Sequence, residues 1–257
     1  MQTRIVSWRA GARWLPEGWR LFRVGPLGWL GLVFAYWLLM TFVSVIPVLG
    51  VVAAIVLVPP FAVGFMSASR AAAAGGPIEI AQLFAGFRQG VRGQLVLGAA
   101  YFAGLALVFA GAALADGGTL ARVMLGGKPM DPQTMRDGDF ALAALAAAAL
   151  YMPVMMAFWF APVLVAWQAM PPAKALFYSF FACVLNWRAF LAYGVITALV
   201  TVVTPLVVLS TFAMLNQGGP QVPAARLLFP IIILLLPVLY ASFYAGYRDI
   251  FGTEERA

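Results

Sequence analysis

Nine carboxylates are the residues of this chain best suited to acid–base chemistry. Histidine, the commonest general base and metal ligand, does not occur at all. An acid–base pair needs two carboxylates whose surroundings drive their proton affinities apart, and a dry, fixed pocket is what does so. Glu17, Glu79, Asp116, Asp131, Asp137, Asp139, Asp249, Glu254 and Glu255 all fall in polar links or tails, so no such pair is expected. Asp131, Asp137 and Asp139 could hold Ca²⁺ only loosely, because the loop lacks the EF-hand pattern. Met152, Met155 and Met156, with Met124, Met130 and Met135 upstream, offer thioethers of the kind that suit Cu(I). No histidine or cysteine accompanies them, and their expected role is packing. Cys183 is the only cysteine, so an internal disulfide is excluded. P-loop, GxSxG, HExxH and CxxC patterns are missing. The expectation is a non-enzyme with no catalytic residue, no cofactor and no metal.

The elements that would have to position any chemistry are six long apolar stretches without an internal charge. They run near Leu27–Ile46, Val51–Ser69, Leu95–Ala115, Ala144–Trp167, Phe190–Phe212 and Leu227–Tyr247. Each is long enough to cross a hydrocarbon core, which takes roughly 20 helical residues. Lipid offers the backbone no hydrogen-bond partner, so these segments must be helices. Hydrophobic residues make up 64% of the chain and charged ones 10%, with mean hydropathy +0.95; soluble domains carry about 25% charged residues, so a soluble fold is excluded. Intramembrane charges mark ion paths and proton relays, and the spans contain none.

The net charge of +7 reports topology rather than nucleic-acid binding. Twelve of the sixteen basic residues fall on one side of the alternating spans, which places both termini in the cytoplasm. Met1–Val24 is rich in Arg and Trp and lacks a continuous apolar core, so the first span is read as an uncleaved insertion signal.

Three amphipathic stripes occur on that basic side. They are Trp14, Gly18, Leu21 and Phe22; Ile80, Leu83, Phe84, Phe87 and Val91; and Leu176, Phe177, Phe180, Phe181 and Val184. Their spacing predicts short helices in the cytoplasmic headgroup layer. Each even span carries a Pro followed by small and aromatic residues, beginning at Pro60, Pro162 and Pro237. The chain thus reads as one integral membrane domain, 1–257, of three parallel two-helix repeats near 13–70, 77–167 and 172–250.

Pro60, Pro162, Pro205 and Pro237 are expected to kink their helices, either merely shaping packing or opening a shared groove. Thr197, Thr201 and Thr204 share a face and are expected to bond carbonyls four residues back. Ala99, Ala103 and Gly104 belong to a small-residue surface on the third span, suited to close helix packing. Trp29, Trp187 and Tyr247 are read as interfacial anchors.

The runs Gly18-Trp-Arg-Leu-Phe-Arg-Val-Gly-Pro-Leu-Gly-Trp29, Ile46-Pro-Val-Leu-Gly50, Leu83-Phe-Ala-Gly-Phe-Arg88, Phe160-Ala-Pro-Val-Leu164 and Ala175-Leu-Phe-Tyr-Ser179 carry a resemblance over nearly the whole chain. It resembles a family of uncharacterised six-span inner-membrane proteins of Gram-negative bacteria. That family is similar in layout to the membrane domain of glycerophosphoryl diester phosphodiesterases. The resemblance implies six helices and a cytoplasmic membrane, and transfers no catalytic residue.

Two readings of function follow. In the first, the protein binds lipid or another amphiphile in a groove between kinked even spans. Phe61, Phe65, Trp167, Tyr240 and Tyr244 would line the groove, and Arg88, Arg92 and Arg188 would contact anionic headgroups. In the second it is a scaffold or assembly factor acting through partner spans or a second copy of itself. An uncoupled path for small neutral solutes is the third possibility.

Overall fold

A computed structural model describes residues 3–47, 49–126, 138–216 and 224–252. All regular structure among them is helical, with no strand. Five stretches are long and apolar enough to span a membrane: Pro26–Ser44, Val91–Asp116, Gly138–Gln168, Trp187–Leu215 and Ile231–Phe251. The remaining expected span is a pair, α3 (Leu49–Val56) and α4 (Val58–Ala73), bent by 40°. The all-α, polytopic reading is therefore what the chain adopts.

The bend has a covalent cause. Pro59 and Pro60 lack amide hydrogens, and a residue that precedes proline is pushed out of the α region. Both prolines consequently sit in the first turn of a new helix, where no amide is needed. The same happens downstream, where α8 (Gly138–Phe158) ends and α9 (Ala161–Gln168) restarts with Pro162 in its first turn. Pro60 and Pro162 thus begin helices after a break. Pro205 and Pro237 lie within the continuous helices α11 (Trp187–Leu215) and α12 (Ala224–Phe251).

The contacts separate the chain into two compact units. The first comprises Met1–Phe42, Phe61–Arg88 and Ala182–Ala257. Its organising element is α1 (Trp8–Val24), which packs across α11 and α12. Ala10, Gly11, Trp14, Leu15, Gly18, Leu21 and Phe22 are buried, a stripe at helical spacing that includes the four residues expected from the sequence. Gly11 lies on the backbone of Ala189, and Gly18 on the Val238 carbonyl and Ser242. The Trp14 ring meets Phe190 edge-on at 5.2 Å and Tyr193 at 5.7 Å, while its Nε1 donates to Asp249 at 2.9 Å. The apolar face of α1 is therefore spent on protein, not on lipid.

Trp29, read above as an interfacial anchor, is corrected by this arrangement. It opens α2 (Pro26–Ser44) but is completely buried, with Nε1 donating to the Leu21 carbonyl at 3.2 Å. Tyr247 is also buried, against Phe251; Trp187 alone of the three stays exposed, at 56%. The second amphipathic stripe forms a 3₁₀ turn, Ile80–Phe84, running into the single turn α5 (Ala85–Arg88). Leu83 is buried, and its backbone lies where a Cβ on Gly64 would point.

The second unit comprises Val43–Pro60 and Gln89–Phe181. Here α6 (Val91–Asp116) packs along α8, and Gly98 lets it close onto the backbone of Val56 in α3. The long link beyond α6 begins with a further helix, α7 (Thr119–Gly126), whose Leu120 joins Ala112 and Ala143 in a small core. The third stripe becomes α10 (Pro172–Leu185). Its Ser179 is buried and its hydroxyl donates to the Met156 carbonyl (2.8 Å) while accepting from the Phe160 amide (2.9 Å). Those two backbone groups would bond each other in an unbroken helix. A serine from another helix has taken the place of the missing bond.

Candidate functional site

The described carboxylates that hydrogen-bond are engaged in holding helices. Asp116 accepts from the amides of Gly118 (2.9 Å) and Leu120 (2.6 Å) and so caps α7. Glu79 and Gln82 form a reciprocal capping box on the 3₁₀ turn. Asp249 receives the Trp14 indole. Glu17 accepts from Arg20 Nε at 3.0 Å and from Arg248 Nη1 at 3.2 Å, tying α1 to α12. Asp131, Asp137, Glu254 and Glu255, with Met130 and Met135, lie outside the described residues. Among the described residues, no group of three His, Cys, Asp or Glu side chains is placed to hold a metal. Burial pushes the Cys183 thiol up to about 12, which keeps it protonated and unreactive.

The Arg20 hydrogen bond, opposed by partial burial, holds the Glu17 carboxyl below its ordinary value of 4.5. A depressed carboxylate contributes stability above its unfolded pKa and loses it as pH falls through the folded one. The pair is partly solvated, which keeps its worth below about 1 kcal/mol. Glu17→Gln should therefore melt slightly below wild type at pH 6. The two curves should converge on acidification below the ordinary carboxylate range, as followed by thermal unfolding in detergent.

The outward face of α1 carries the opposite chemistry to its buried stripe. Trp8 and Trp19 are 57% and 48% exposed, and Arg9, Arg13, Arg20 and Arg23 are exposed beside them. The Arg9 guanidinium sits 5.8 Å from the centre of the Trp8 ring. Tryptophan at headgroup depth and arginine against anionic lipid are the two residue types that a cytoplasmic leaflet surface favours.

Arg88, Arg92 and Arg188, expected to contact headgroups, are all exposed. Arg88 ends α5 and Arg188 opens α11 in the first unit, with its guanidinium 5.4 Å over the Trp187 ring. Arg92 stands in the first turn of α6 in the second unit.

The expected groove residues fall into an aromatic seam of the first unit. Phe65 stacks on Tyr240 with ring centres 3.8 Å apart, and Tyr36 meets both Phe61 and Phe65 edge-on at 5.3 Å. Phe61 continues the seam to Phe87 at 5.1 Å. Phe61, Phe65 and Tyr244 are buried, so the rings fill the space between them. Trp167 stands in the last turn of α9 in the second unit, half-buried.

On α6, Ala99 and Ala103 are exposed, and Ala106 and Ala110 extend the same open face. Gly104 points elsewhere, toward Val154 of α8. Thr201 donates to the Thr197 carbonyl at 2.8 Å, as a span threonine does when it bonds four residues back.

Sequence reasoning passed over Asn186. It is 2% exposed, accepts from the Val6 amide at 2.8 Å, and donates to the carbonyls of Arg4 (3.2 Å) and Ala182 (2.9 Å). One buried amide thereby fastens the N-terminal segment to the start of α11. The available signal was a lone amide side chain between the apolar end of α10 and Trp187-Arg188.

Apolar helices of spanning length, the absence of strands among the described residues and charges confined to the ends define a multi-pass membrane protein. Over 99% of its length the chain is 41% identical to a probable inner membrane protein of Burkholderia thailandensis, of which it covers 96%. It belongs to the family of that inner-membrane protein. No protein-family model matches the chain, and no solved structure does.

Proposed function

We propose that this inner-membrane protein, its termini in the cytoplasm, is a non-enzymatic binder of anionic lipid that handles an amphiphile. The observation that carries this is α1, whose apolar stripe is used up against α11 and α12 while Arg and exposed Trp occupy the other face. Arginine alone would serve to orient the next span, and the exposed Trp8 and Trp19 beside it are what a headgroup-layer surface adds. Arg88, Arg92 and Arg188 supply further headgroup contacts, Arg188 on its indole platform. The seam at Phe61, Phe65 and Tyr240 is the apolar route, and an acyl chain entering it must part stacked rings.

Each arginine near an anionic surface is worth on the order of 1 kcal/mol. The triple variant Arg88→Ala/Arg92→Ala/Arg188→Ala should therefore bind phosphatidylglycerol about a hundredfold more weakly than wild type, by native mass spectrometry in mild detergent. Retention equal to wild type would refute the headgroup assignment.

The exposed face Ala99, Ala103, Ala106 and Ala110 favours a second reading, a scaffold that docks a partner span. Ala103→Leu distinguishes the two, because it blocks the face without touching the protein's own packing. A scaffold loses a co-purifying partner, whereas a lipid binder is indifferent. Gly104→Leu is unsuitable, since a side chain there meets Val154.

A further inference from the structure

An open basin of about 500 Å³ lies in the first unit, lined by Arg4, Ser7, Arg13, Arg248, Asp249 and Gly252, with Val6 and Ala10 on its floor. It joins residues from the two ends of the chain and contains none of Arg88, Arg92 and Arg188. We infer that this basin binds a phosphate group, carried by an anionic phospholipid or free in solution.

The basin is built, not incidental. The Arg4 amide donates to the Ile250 carbonyl at 2.8 Å, and Asn186 holds the Arg4 carbonyl and the Val6 amide. The backbone that carries the first guanidinium is thus fixed from both sides. That guanidinium lies over Gly252, within 3.5 Å of where a Cβ would stand, at a backbone φ of +72° that favours glycine. The one acid in the wall is already committed: Asp249 takes the Trp14 indole and lies 3.9 Å from Arg248. Arg248 is shared with Glu17. Among the described residues, Arg4 and Arg13 have no carboxylate within ion-pair reach. The start of α1 adds to the positive field. Its N-cap Ser7 makes no side-chain capping bond, and the first turn has no acid.

Three guanidiniums at the start of a helix exclude a cation and, with their forked donors, suit the higher charge of a phosphate over that of a single carboxylate. The lipid source is the better match to the surroundings. Ile5 and Trp8, 73% and 57% exposed, flank the lining residues Arg4 and Ser7. A phosphate with acyl chains attached meets that apolar surface, and a free one leaves it unused.

The test uses the full chain in neutral detergent, with short-chain phosphatidylglycerol, phosphatidylcholine and inorganic phosphate as probes in native mass spectrometry and thermal-shift titrations. The Arg88→Ala/Arg92→Ala/Arg188→Ala chain should still hold one phosphatidylglycerol in the basin, and adding Arg4→Ala/Arg13→Ala should weaken it about tenfold at unchanged melting temperature. The charge-matched control Arg70→Ala/Lys174→Ala should change it by less than about twofold. Arg4→Lys/Arg13→Lys, which keeps charge but loses the fork, should fall between. Displacement of the lipid by inorganic phosphate would support the phosphate contact itself. Binding of inorganic phosphate without lipid retention would support the site and assign it the soluble source. Equal losses in both double variants would overturn the basin in favour of diffuse charge. Binding that appears only in Glu254→Gln/Glu255→Gln would overturn it too, because the chain's own tail then fills the basin. The lipid-handling reading above fails or stands separately, on Arg88, Arg92 and Arg188.

Discussion

Gly11→Ala is expected to detach α1 from α11, and Gly11→Leu to abolish the folded first unit. A Cβ at position 11 falls on the carbonyl of Ala189. Overpacking against flexible side chains costs about 1–3 kcal/mol, because rotamers give way. Here the obstacle is backbone inside a continuous helix, so relief requires moving α1 as a body. That would lift Trp14 from Phe190 and Tyr193 and break its bond to Asp249. The cost should reach at least about 3 kcal/mol for leucine, read as a large fall in melting temperature or loss of a monodisperse species in detergent. Gly194→Ala on α11 is the control, because a Cβ there meets nothing within 4 Å. It should be neutral or stabilising by up to about 1 kcal/mol, the helix-propensity gain of alanine over glycine. A Gly11→Ala protein that melts with wild type would show that α1 does not dock on α11 in this way.

This junction also shows what can be read from residues alone in such a chain. The stripe through Trp14, Gly18, Leu21 and Phe22 was legible, because its period is that of a helix whatever covers it. What covers it was not. Lipid tails and protein interior are equally apolar, so hydropathy cannot say which one an exposed stripe will meet. Trp29 was misplaced for the same reason: a tryptophan at the start of a span marks the interface only if nothing packs over it, and Leu21 does. The glycines carried more information than their number suggested. Gly11, Gly18, Gly64 and Gly98 each stand where another backbone passes, whereas Gly31 and Gly194 face open space with no difference in local sequence. The basin was hidden for a different reason. Arg4, Arg13 and Arg248 read only as topology signals until the two ends of the chain were brought together.

The motifs behind the family resemblance turn out to be packing devices. Leu83-Phe-Ala-Gly-Phe-Arg88 supplies the backbone that Gly64 accommodates. Phe160-Ala-Pro-Val-Leu164 and Ala175-Leu-Phe-Tyr-Ser179, quoted separately, are two halves of one hydrogen-bonded junction, joined where Ser179 enters the broken span.

Ser179→Ala is accordingly expected to have an effect beyond its size. Removing the hydroxyl takes one hydrogen bond from the Phe160 amide and one from the Met156 carbonyl, in a region that is completely buried at Phe160. Each unpaired buried backbone group costs about 1–3 kcal/mol, and in hydrocarbon the penalty is larger still. Closing the direct bond from 160 to 156, which straightens the span through Trp159, would recover that energy. Pro162 does not forbid this, because the carbonyl it deprives of an amide is that of Phe158, not Met156. Ser179→Ala should therefore show one of two signatures. Either the melting temperature falls by an amount matching roughly 2–6 kcal/mol, with fast hydrogen exchange at Phe160, or stability is largely kept and that amide becomes protected as the break heals. Ser179→Thr, which retains the hydroxyl, should do neither. An alanine variant with wild-type stability and wild-type exchange at Phe160 would mean that the serine is not what holds the break open.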